Sequence, residues 1–189
     1  DGDSDKDLII AFADHSTPTQ HSVQTFVNAG GAFSAGNRIA IDYPFEPRYI
    51  TAGDYNDDGR QDFAALVGAM LMVSYGRGGG AFTPATYYAV SNANLLFSAD
   101  VNHDNKLDIL VLTTQYSDRN SVSVLENLGN AGFRAPQATP WGPTFIDAAD
   151  FNGDGYKEFV SSWQTIYNNT SGVDILINDR NGGLLPEIS

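Results

Sequence analysis

The fold can be predicted from one stretch of the sequence, Asp54-Tyr55-Asn56-Asp57-Asp58-Gly59-Arg60-Gln61-Asp62, which is followed at once by Phe63-Ala64-Ala65-Leu66-Val67. It carries acidic or amide side chains at positions 1, 3, 5 and 9 and a glycine at position 6. The pattern D-x-N-x-D-[GN]-x-x-[DE] before an apolar segment returns at residues 100–108 and 150–158. Residues 1–7 match positions 3 to 9 of the same pattern. We call these stretches acidic loops 1 to 4, in chain order.

Other elements recur in step with the acidic loops. Apolar segments precede loops 2, 3 and 4 and follow all four loops. Further along each repeat comes another apolar segment and an Asn/Gly turn, as in Val122-Ser123-Val124-Leu125-Glu126-Asn127. A large apolar residue, such as Phe133, then begins a further segment. Repeats 2, 3 and 4 therefore each predict four short antiparallel strands, with the acidic loop joining the first strand to the second, and repeat 1 predicts the last three of these strands.

Four strands in each repeat of roughly 40–50 residues are typical of a β-propeller blade. We therefore predict an all-β chain with about four blades, a partial or small propeller, in one segment over residues 1–189. The predicted repeats are approximately residues 1–42, 43–90, 91–139 and 140–189. A β-sandwich is the competing fold, but it would not explain an identical loop at the same point of every unit.

Composition narrows the classes of function. The chain has no cysteine, so something other than disulfides must stiffen its loops. Its net charge of −13 argues against binding nucleic acid, which needs a basic surface. No apolar run approaches the roughly 20 residues of a spanning helix, so we expect no membrane insertion. The acidic loops hold 14 of the 23 acidic residues, which points to bound cations.

The acidic loops suit Ca²⁺, which takes six to eight oxygen ligands. Side chains at positions 1, 3 and 5 can converge when the chain curls, and position 9 can close the shell. Position 6 needs a left-handed backbone, which Gly allows and which Asn105 of loop 3 tolerates. The alternative is an Asp/Asn/Gly turn that holds no metal. We predict calcium in the three complete loops, with a fourth, truncated site at the beginning of the sequence.

The predicted ligands share an oxygen donor at equivalent loop positions. The side-chain ligands are Asp54, Asn56, Asp58 and Asp62; Asp100, Asn102, Asp104 and Asp108; Asp150, Asn152, Asp154 and Glu158; and Asp1, Asp3 and Asp7 of loop 1. The backbone ligands at position 7 are Arg60, Lys106, Tyr156 and Asp5.

These loops, together with the Val-Ser-Val-Leu-x-Asn-x-Gly-x-x-Gly-Phe type of segment, resemble the FG-GAP/VCBS repeat family. That family includes the propellers of integrin α-subunits, some fungal lectins and many secreted bacterial proteins. The resemblance implies calcium on the A–B loops at one face of a propeller. It does not imply one function, because the fold supports adhesion, sugar binding and accessory roles in enzymes. Family propellers often have six to eight blades, so the remaining blades could come from a longer chain or from another subunit.

A ligand could bind on the face opposite the calcium loops, where the loops vary between repeats. Aromatic rings beside Arg or Asn side chains suit sugars, whose apolar faces stack on rings. The predicted ligand-binding residues are Trp141, Trp163, Tyr116, Arg119, Arg48 and Tyr167. The alternative for the two tryptophans is packing between blades.

The sequence contains no recognisable catalytic constellation, so we predict that the chain is not an enzyme. The favoured function is an extracellular or cell-surface binding module for carbohydrate or protein ligands. An accessory domain of a larger secreted enzyme that acts on polysaccharide is an alternative, because the sequence begins inside a motif. A structural, self-assembling propeller scaffold is the other alternative.

Overall fold

A computed structural model of the chain describes residues 5–13, 21–41, 45–113, 121–129, 132–138, 145–164, 171–178 and 184–185. Those residues form β-strands and turns, with no α-helix among them. None of the described elements is a helix long and apolar enough to cross a membrane. The chain divides into two compact units, Asp1–Ala89 and Val90–Ser189.

The first unit contains two sheets and a small hairpin. Sheet 1 has the order β1-β2-β3, and sheet 2 has the order β4-β5-β6-β9, with every neighbouring pair antiparallel. The hairpin pairs β7 with β8. The strands are β1 Leu8–Phe12, β2 Ser22–Ala29, β3 Ala32–Ala40, β4 Pro47–Gly53, β5 Asp62–Val67, β6 Met70–Ser74, β7 Gly76–Gly78, β8 Ala81–Phe82 and β9 Thr86–Ala89.

The second unit contains two four-stranded antiparallel sheets. Sheet 3 has the order β10-β11-β12-β13, and sheet 4 has the order β14-β15-β16-β17. The strands are β10 Ala93–Ala99, β11 Asp108–Thr113, β12 Ser121–Leu125, β13 Gln137–Ala138, β14 Phe145–Ala149, β15 Glu158–Gln164, β16 Ser171–Asn178 and β17 Leu184–Leu185.

Each acidic loop occupies the predicted place in its sheet. Loops 2, 3 and 4 join the first strand of sheets 2, 3 and 4 to the second, and loop 1 leads directly into β1. Each of the four sheets lies within one of the predicted repeat ranges. The expected order of a strand, an acidic loop and two further paired strands is therefore confirmed in sheets 2 to 4.

The cores lie between neighbouring sheets of the same unit. Phe63 of β5, in sheet 2, is fully buried together with Val23 of β2 and with Ile41, which follows β3. Phe159 of β15, in sheet 4, is fully buried against residues of sheet 3 and lies 6.0 Å from the ring of Phe97. Both phenylalanines come directly after the position-9 acid of their loop. The acidic loop therefore sets which side chain enters the core between sheets, where burial contributes about 1.5–3 kcal/mol.

The outermost strands differ from the sequence prediction in two sheets. We expected the large apolar residue after the Gly turn to begin the fourth strand, but Phe82 lies in the hairpin β7-β8 and Phe133 in an isolated bridge with Asn127. In sheet 2 the glycines of residues 76–80 permit this extra hairpin, whose turn residues Gly79 and Gly80 have positive φ. The outer strand of sheet 2 is instead β9.

Candidate cation loops and an adjoining cavity

Loops 2, 3 and 4 curl in the same way because their side chains accept hydrogen bonds from their own backbone. The amide of position 5 donates both to the carboxylate of position 1 and to the amide oxygen of position 3. These two distances are 3.2 and 3.1 Å in loop 2, 3.2 and 3.0 Å in loop 3, and 3.2 and 2.8 Å in loop 4. The side-chain oxygens of positions 1 and 3 therefore meet at one point in every described loop.

Two further hydrogen bonds repeat in the three loops. The second carboxylate oxygen of position 1 accepts the amide of position 6, at 2.8, 2.9 and 3.0 Å in loops 2, 3 and 4. The position-5 carboxylate accepts the amide of position 7, at 2.9, 3.0 and 3.0 Å. The acidic side chains thus satisfy backbone donors that a curled loop would otherwise leave unpaired.

The curl requires two left-handed residues in each loop. Position 6 has φ of 79°, 66° and 90° at Gly59, Asn105 and Gly155, which confirms the predicted conformation of Asn105. Position 4 is also left-handed, with φ of 60°, 60° and 76° at Asp57, His103 and Gly153. Sequence reasoning missed position 4, although Asp, His and Gly are among the residues that accept this conformation most readily.

The position-9 acids, which we call the closing acids, accept hydrogen bonds from backbone amides in all four loops. Asp62 is 1% exposed, and its two carboxylate oxygens accept the amides of Tyr55 at 2.8 Å and Gly76 at 2.7 Å. Tyr55 belongs to the same loop, whereas Gly76 is the first residue of β7. The closing acid therefore attaches the acidic loop to the hairpin β7-β8.

Sheet 3 repeats this arrangement. Asp108 is fully buried and accepts the amides of Val101 at 3.0 Å and Asn127 at 2.7 Å. The Asn127 side chain donates to the carbonyl of Leu107 at 3.0 Å and accepts the amide of Gly129 at 2.8 Å. The asparagine of the Asn/Gly turn is therefore a partner of the acidic loop, a role that its position in the sequence did not reveal.

Loops 1 and 4 are variants of the arrangement. In loop 1, Asp7 accepts the amide of Asn28 at 2.9 Å, and Asp5 accepts the amide of Gly30 at 2.9 Å. The predicted ligands Asp1 and Asp3 lie outside the described residues. In loop 4, Glu158 is 2% exposed and accepts the amide of Phe151 at 2.9 Å and the side-chain amide of Asn152 at 3.0 Å.

Burial and crowding of carboxylates shape the electrostatics of the loops. Burial raises the pKa of Asp62, an effect that the nearby Asp54 and Asp58 reinforce and that hydrogen bonds from Gly76 and Tyr55 oppose. Burial raises the pKa of Asp108 to about 6, against two backbone hydrogen bonds, with further contributions from neighbouring loop carboxylates. A cation close to these groups would favour their ionised forms.

Basic side chains already lie beside two of the position-5 carboxylates. The Arg60 guanidinium is 3.0 Å from Asp58, and the Lys106 ammonium is 2.8 Å from Asp104. Partial burial alone would raise the pKa of Asp104, but the hydrogen bonds and charge of Lys106 outweigh it, and the pKa is lowered. These contacts involve residues whose side chains were not predicted to have a role.

Whether the loops fit calcium depends on their oxygen donors. Among the described residues, no three His, Cys, Asp or Glu side chains are grouped so that they could hold a metal ion. Each described loop instead brings together the position-1 carboxylate and the position-3 amide oxygen, with the position-5 carboxylate beside them. A carboxylate oxygen that accepts one N–H retains capacity for another partner. The donor types therefore fit a hard cation. Calcium and all of its predicted ligands, the closing acids included, stay predictions.

Loops 3 and 4 also touch each other. The rings of His103, at position 4 of loop 3, and Tyr156, at position 7 of loop 4, are 4.5 Å apart and inclined by 42°. The two loops of this unit therefore lie side by side, which the order of the repeats by itself does not establish.

A cavity of about 580 Å³ lies between sheets 1 and 2 and adjoins acidic loops 1 and 2. Its apolar wall is formed by Leu8, Ile9, Val27, Ala81 and Phe82, and its polar wall includes Asp5, Lys6, Asp7, Thr25, Arg60, Gln61 and Asp62. The combination of an apolar wall with several polar groups is typical of small-ligand sites. Sequence reasoning missed this cavity, because its walls come from two different repeats.

The predicted ligand-binding residues lie largely beyond what the structure describes. Trp141, Tyr116, Arg119 and Tyr167 are outside the described ranges. The backbone of Trp163 lies in β15, opposite Gly172 of β16. Arg48 is an exposed residue of β4, within a strand and not in a connector.

Comparison with known proteins identifies the repeats. The model of the FG-GAP-like repeat matches three overlapping ranges, residues 1–65, 54–111 and 100–161. No curated protein sequence matches the chain significantly. Fourteen solved protein chains do match. One is a lectin of Agrocybe aegerita, whose structure was described as the basis of its specific recognition of non-reducing terminal N-acetylglucosamine.

That lectin is a β-propeller, and its structural similarity to this chain has a TM-score of 0.61 at 17% sequence identity. The alignment covers 98% of this chain and 52% of the lectin chain, so this chain spans about half the length of the lectin. An identity this low shows the fold alone. The similarity and the small antiparallel sheets are together consistent with the predicted propeller-like fold.

Proposed function

This chain belongs to the FG-GAP-like repeat family, and we propose that it is a calcium-stabilised extracellular module that binds carbohydrate or protein without catalysing a reaction. The cavity between sheets 1 and 2 is the observation that carries the binding part of the proposal. Its volume falls in the range of small-molecule sites, about 300–1,000 Å³.

Carbohydrate is the favoured ligand class for this cavity. A sugar presents an apolar face, which could lie on Phe82, and hydroxyl groups, which Arg60 and Gln61 could bind. The similar fold of a lectin supports the same class, although the ligand of that lectin is a property of that protein. The residues that the sequence predicts on the opposite face, such as Tyr116 and Arg119, stay a second candidate site, and they lie outside the described residues.

Calcium would be held by the side chains of positions 1, 3 and 5 of loops 2, 3 and 4, with the position-7 carbonyl and the closing acid completing the shell. Bound calcium would screen the carboxylates that crowd each loop and stabilise the folded state. Loops of this type suit the millimolar calcium outside cells, which is why we propose an extracellular location.

A binding experiment with matched variants tests the proposal. We would screen the protein on a glycan array in calcium, and titrate it with N-acetylglucosamine as the first defined probe. Arg60→Ala should weaken binding at least several-fold, because Arg60 lines the cavity. Arg77→Ala is the control, since Arg77 is exposed and is not among the cavity residues.

Two outcomes would count against this assignment. Binding that Tyr116→Ala abolishes and Arg60→Ala leaves unchanged would place the ligand on the opposite face instead. A blank array, together with no protein captured in a pull-down with calcium present, would contradict the binding function itself.

We further propose that other blades complete the propeller, from the same longer protein or from another subunit. Among the described residues, sheet 1 has three strands where sheets 2 to 4 have four, and the similar lectin is about twice as long as this chain. The outer edge of β1 would then pair with a further strand, because exposed edges invite pairing. Light scattering that finds a stable monomer would exclude completion by another copy of this chain.

A further inference from the structure

We propose that Arg60 and Lys106 are tethered counter-cations, which compete with calcium for the position-5 carboxylates of loops 2 and 3 and so weaken calcium binding there. This inference rests on the proposed calcium binding and adds to it a determinant of affinity. Both residues occupy position 7, for which the sequence predicted only a backbone role.

The contacts are alike in the two loops. In loop 3, the amide of Lys106 donates to Oδ1 of Asp104 at 3.0 Å, while its ammonium group lies 2.8 Å from Oδ2. In loop 2, the amide of Arg60 donates to Oδ1 of Asp58 at 2.9 Å, and its guanidinium lies 3.0 Å from Oδ2. One residue thus occupies both oxygens of a carboxylate that calcium would need.

The competition follows from charge and access. The side chains of Lys106 and Asp104 are 31% and 32% exposed, so the ammonium group can move into solvent when a divalent ion arrives. Displacing it breaks an ion pair, and that cost opposes calcium binding. Without calcium, the same ion pair screens the carboxylates of the loop and stabilises its curl.

Loop 4 provides an internal comparison within the same protein. Its position 7 is Tyr156, whose ring lies against His103 and is not a cationic group. The amide of Tyr156 still donates to Asp154 at 3.0 Å, as in the other loops. The backbone contact is therefore common to the three loops, and the charged contact from position 7 belongs to loops 2 and 3.

The test is a calcium titration of the whole chain that is monitored by nuclear magnetic resonance. The position-6 amides of Gly59, Asn105 and Gly155 report on loops 2, 3 and 4 separately. Lys106→Gln should tighten calcium binding at loop 3 by about two- to fivefold, the range that an exposed ion pair supports. The affinities of loops 2 and 4 should change much less.

Three further variants make the result specific. Arg60→Gln should tighten calcium binding at loop 2 and leave the calcium affinity of loop 3 unchanged. Lys106→Arg keeps the charge and should leave the affinity of loop 3 near its original value. Lys157→Gln also removes one positive charge, but from position 8 of loop 4. It should not tighten calcium binding at loop 3. In metal-free buffer, Lys106→Gln should melt at a lower temperature than the unmodified protein.

The outcomes separate this inference from the calcium proposal itself. If the loops bind calcium but Lys106→Gln and Arg60→Gln leave the calcium affinities unchanged or weaker, the proposed competition is refuted, whereas the proposed calcium binding is not. If no loop responds to calcium in any variant, both are wrong. If Lys157→Gln tightens calcium binding at loop 3 as much as Lys106→Gln does, the effect comes from net charge, and this result would also overturn the inference.

Discussion

Asp62 and Gly76 are 14 residues apart in the chain and are joined by a hydrogen bond of 2.7 Å, from the Gly76 amide to a buried carboxylate oxygen of Asp62. The Asn127 amide donates in the same way to the buried Asp108, and the Asn28 amide donates to the exposed Asp7. An acid predicted as a metal ligand is therefore also a structural link between the acidic loop and a later segment of the chain. Stability and cation binding are expected to share these residues.

Replacing Asp62 by Asn should destabilise the protein even without metal. Asn offers one acceptor oxygen where the carboxylate has two, so either Tyr55 or Gly76 would keep a buried, unpaired amide. Such a loss costs about 1–3 kcal/mol. Urea unfolding in metal-free buffer measures it and excludes any effect of a lost ligand. Asp57→Asn is the control, because Asp57 is exposed and Asn tolerates its φ of 60°. Equal stabilities for the two variants would refute the structural role of Asp62.

Replacing Gly76 by Ala should also destabilise the protein, by about 2 kcal/mol or more, because a Cβ there would overlap the backbone carbonyl of Gln61. The overlap would push apart the hairpin β7-β8 and the loop that Asp62 joins. Gly79→Ala is the matched control. Gly79 has a positive φ of 57° but open space around it, so only backbone strain of about 1 kcal/mol is expected. Thermal melting of both variants compares the two costs, and a smaller loss for Gly76→Ala would contradict the close approach.

Removing calcium should lower the melting temperature. A site saturated at about 100 times its Kd adds about 2.7 kcal/mol of stability. For a chain of this size, that corresponds to roughly 5–10 °C for each site. Differential scanning calorimetry with calcium, with magnesium and with a chelator measures the effect, and magnesium should restore less stability than calcium. Asp104→Ala should remove the contribution of loop 3 alone. A melting temperature that does not respond to the chelator would refute calcium binding.

Alkaline pH should destabilise the protein in part through Tyr75. Burial raises the pKa of Tyr75 to about 12, with smaller contributions from Tyr88 and Asp62. The unfolded chain releases this proton near pH 10, whereas the folded chain retains it. Deprotonation therefore favours the unfolded state, and stability is lost as the pH rises from about 10 towards 12.

Urea midpoints at pH 9, 10 and 11 measure this loss. Tyr75→Phe keeps the ring but has no proton to release, so its midpoint should fall less steeply over the same range. Parallel slopes for the two proteins would show that Tyr75 is not the group responsible.

Much of the fold followed from local pattern. The acidic loop placed the strands on either side of it, because its polar side chains mark a curl and the apolar runs beside it mark buried strands. The left-handed conformation of Asn105 was equally predictable, since few residues tolerate it. The outer strands were less predictable. The glycines near Phe82 and Phe133 allow a continuous strand, but they also allow the short hairpin at Phe82 and the isolated bridge at Phe133.

The pattern of residues along the chain was enough to predict the strands beside each acidic loop, the residues of the loops and their type of donor, because each depends on neighbours within nine positions of the chain. Three relationships became known from the folded structure: Asp62 accepts a hydrogen bond from Gly76, Lys106 pairs with Asp104, and a cavity lies between sheets 1 and 2. Those relationships depend on which way side chains turn and on how closely distant segments approach. Both are set by packing, and no local pattern of residue types encodes them.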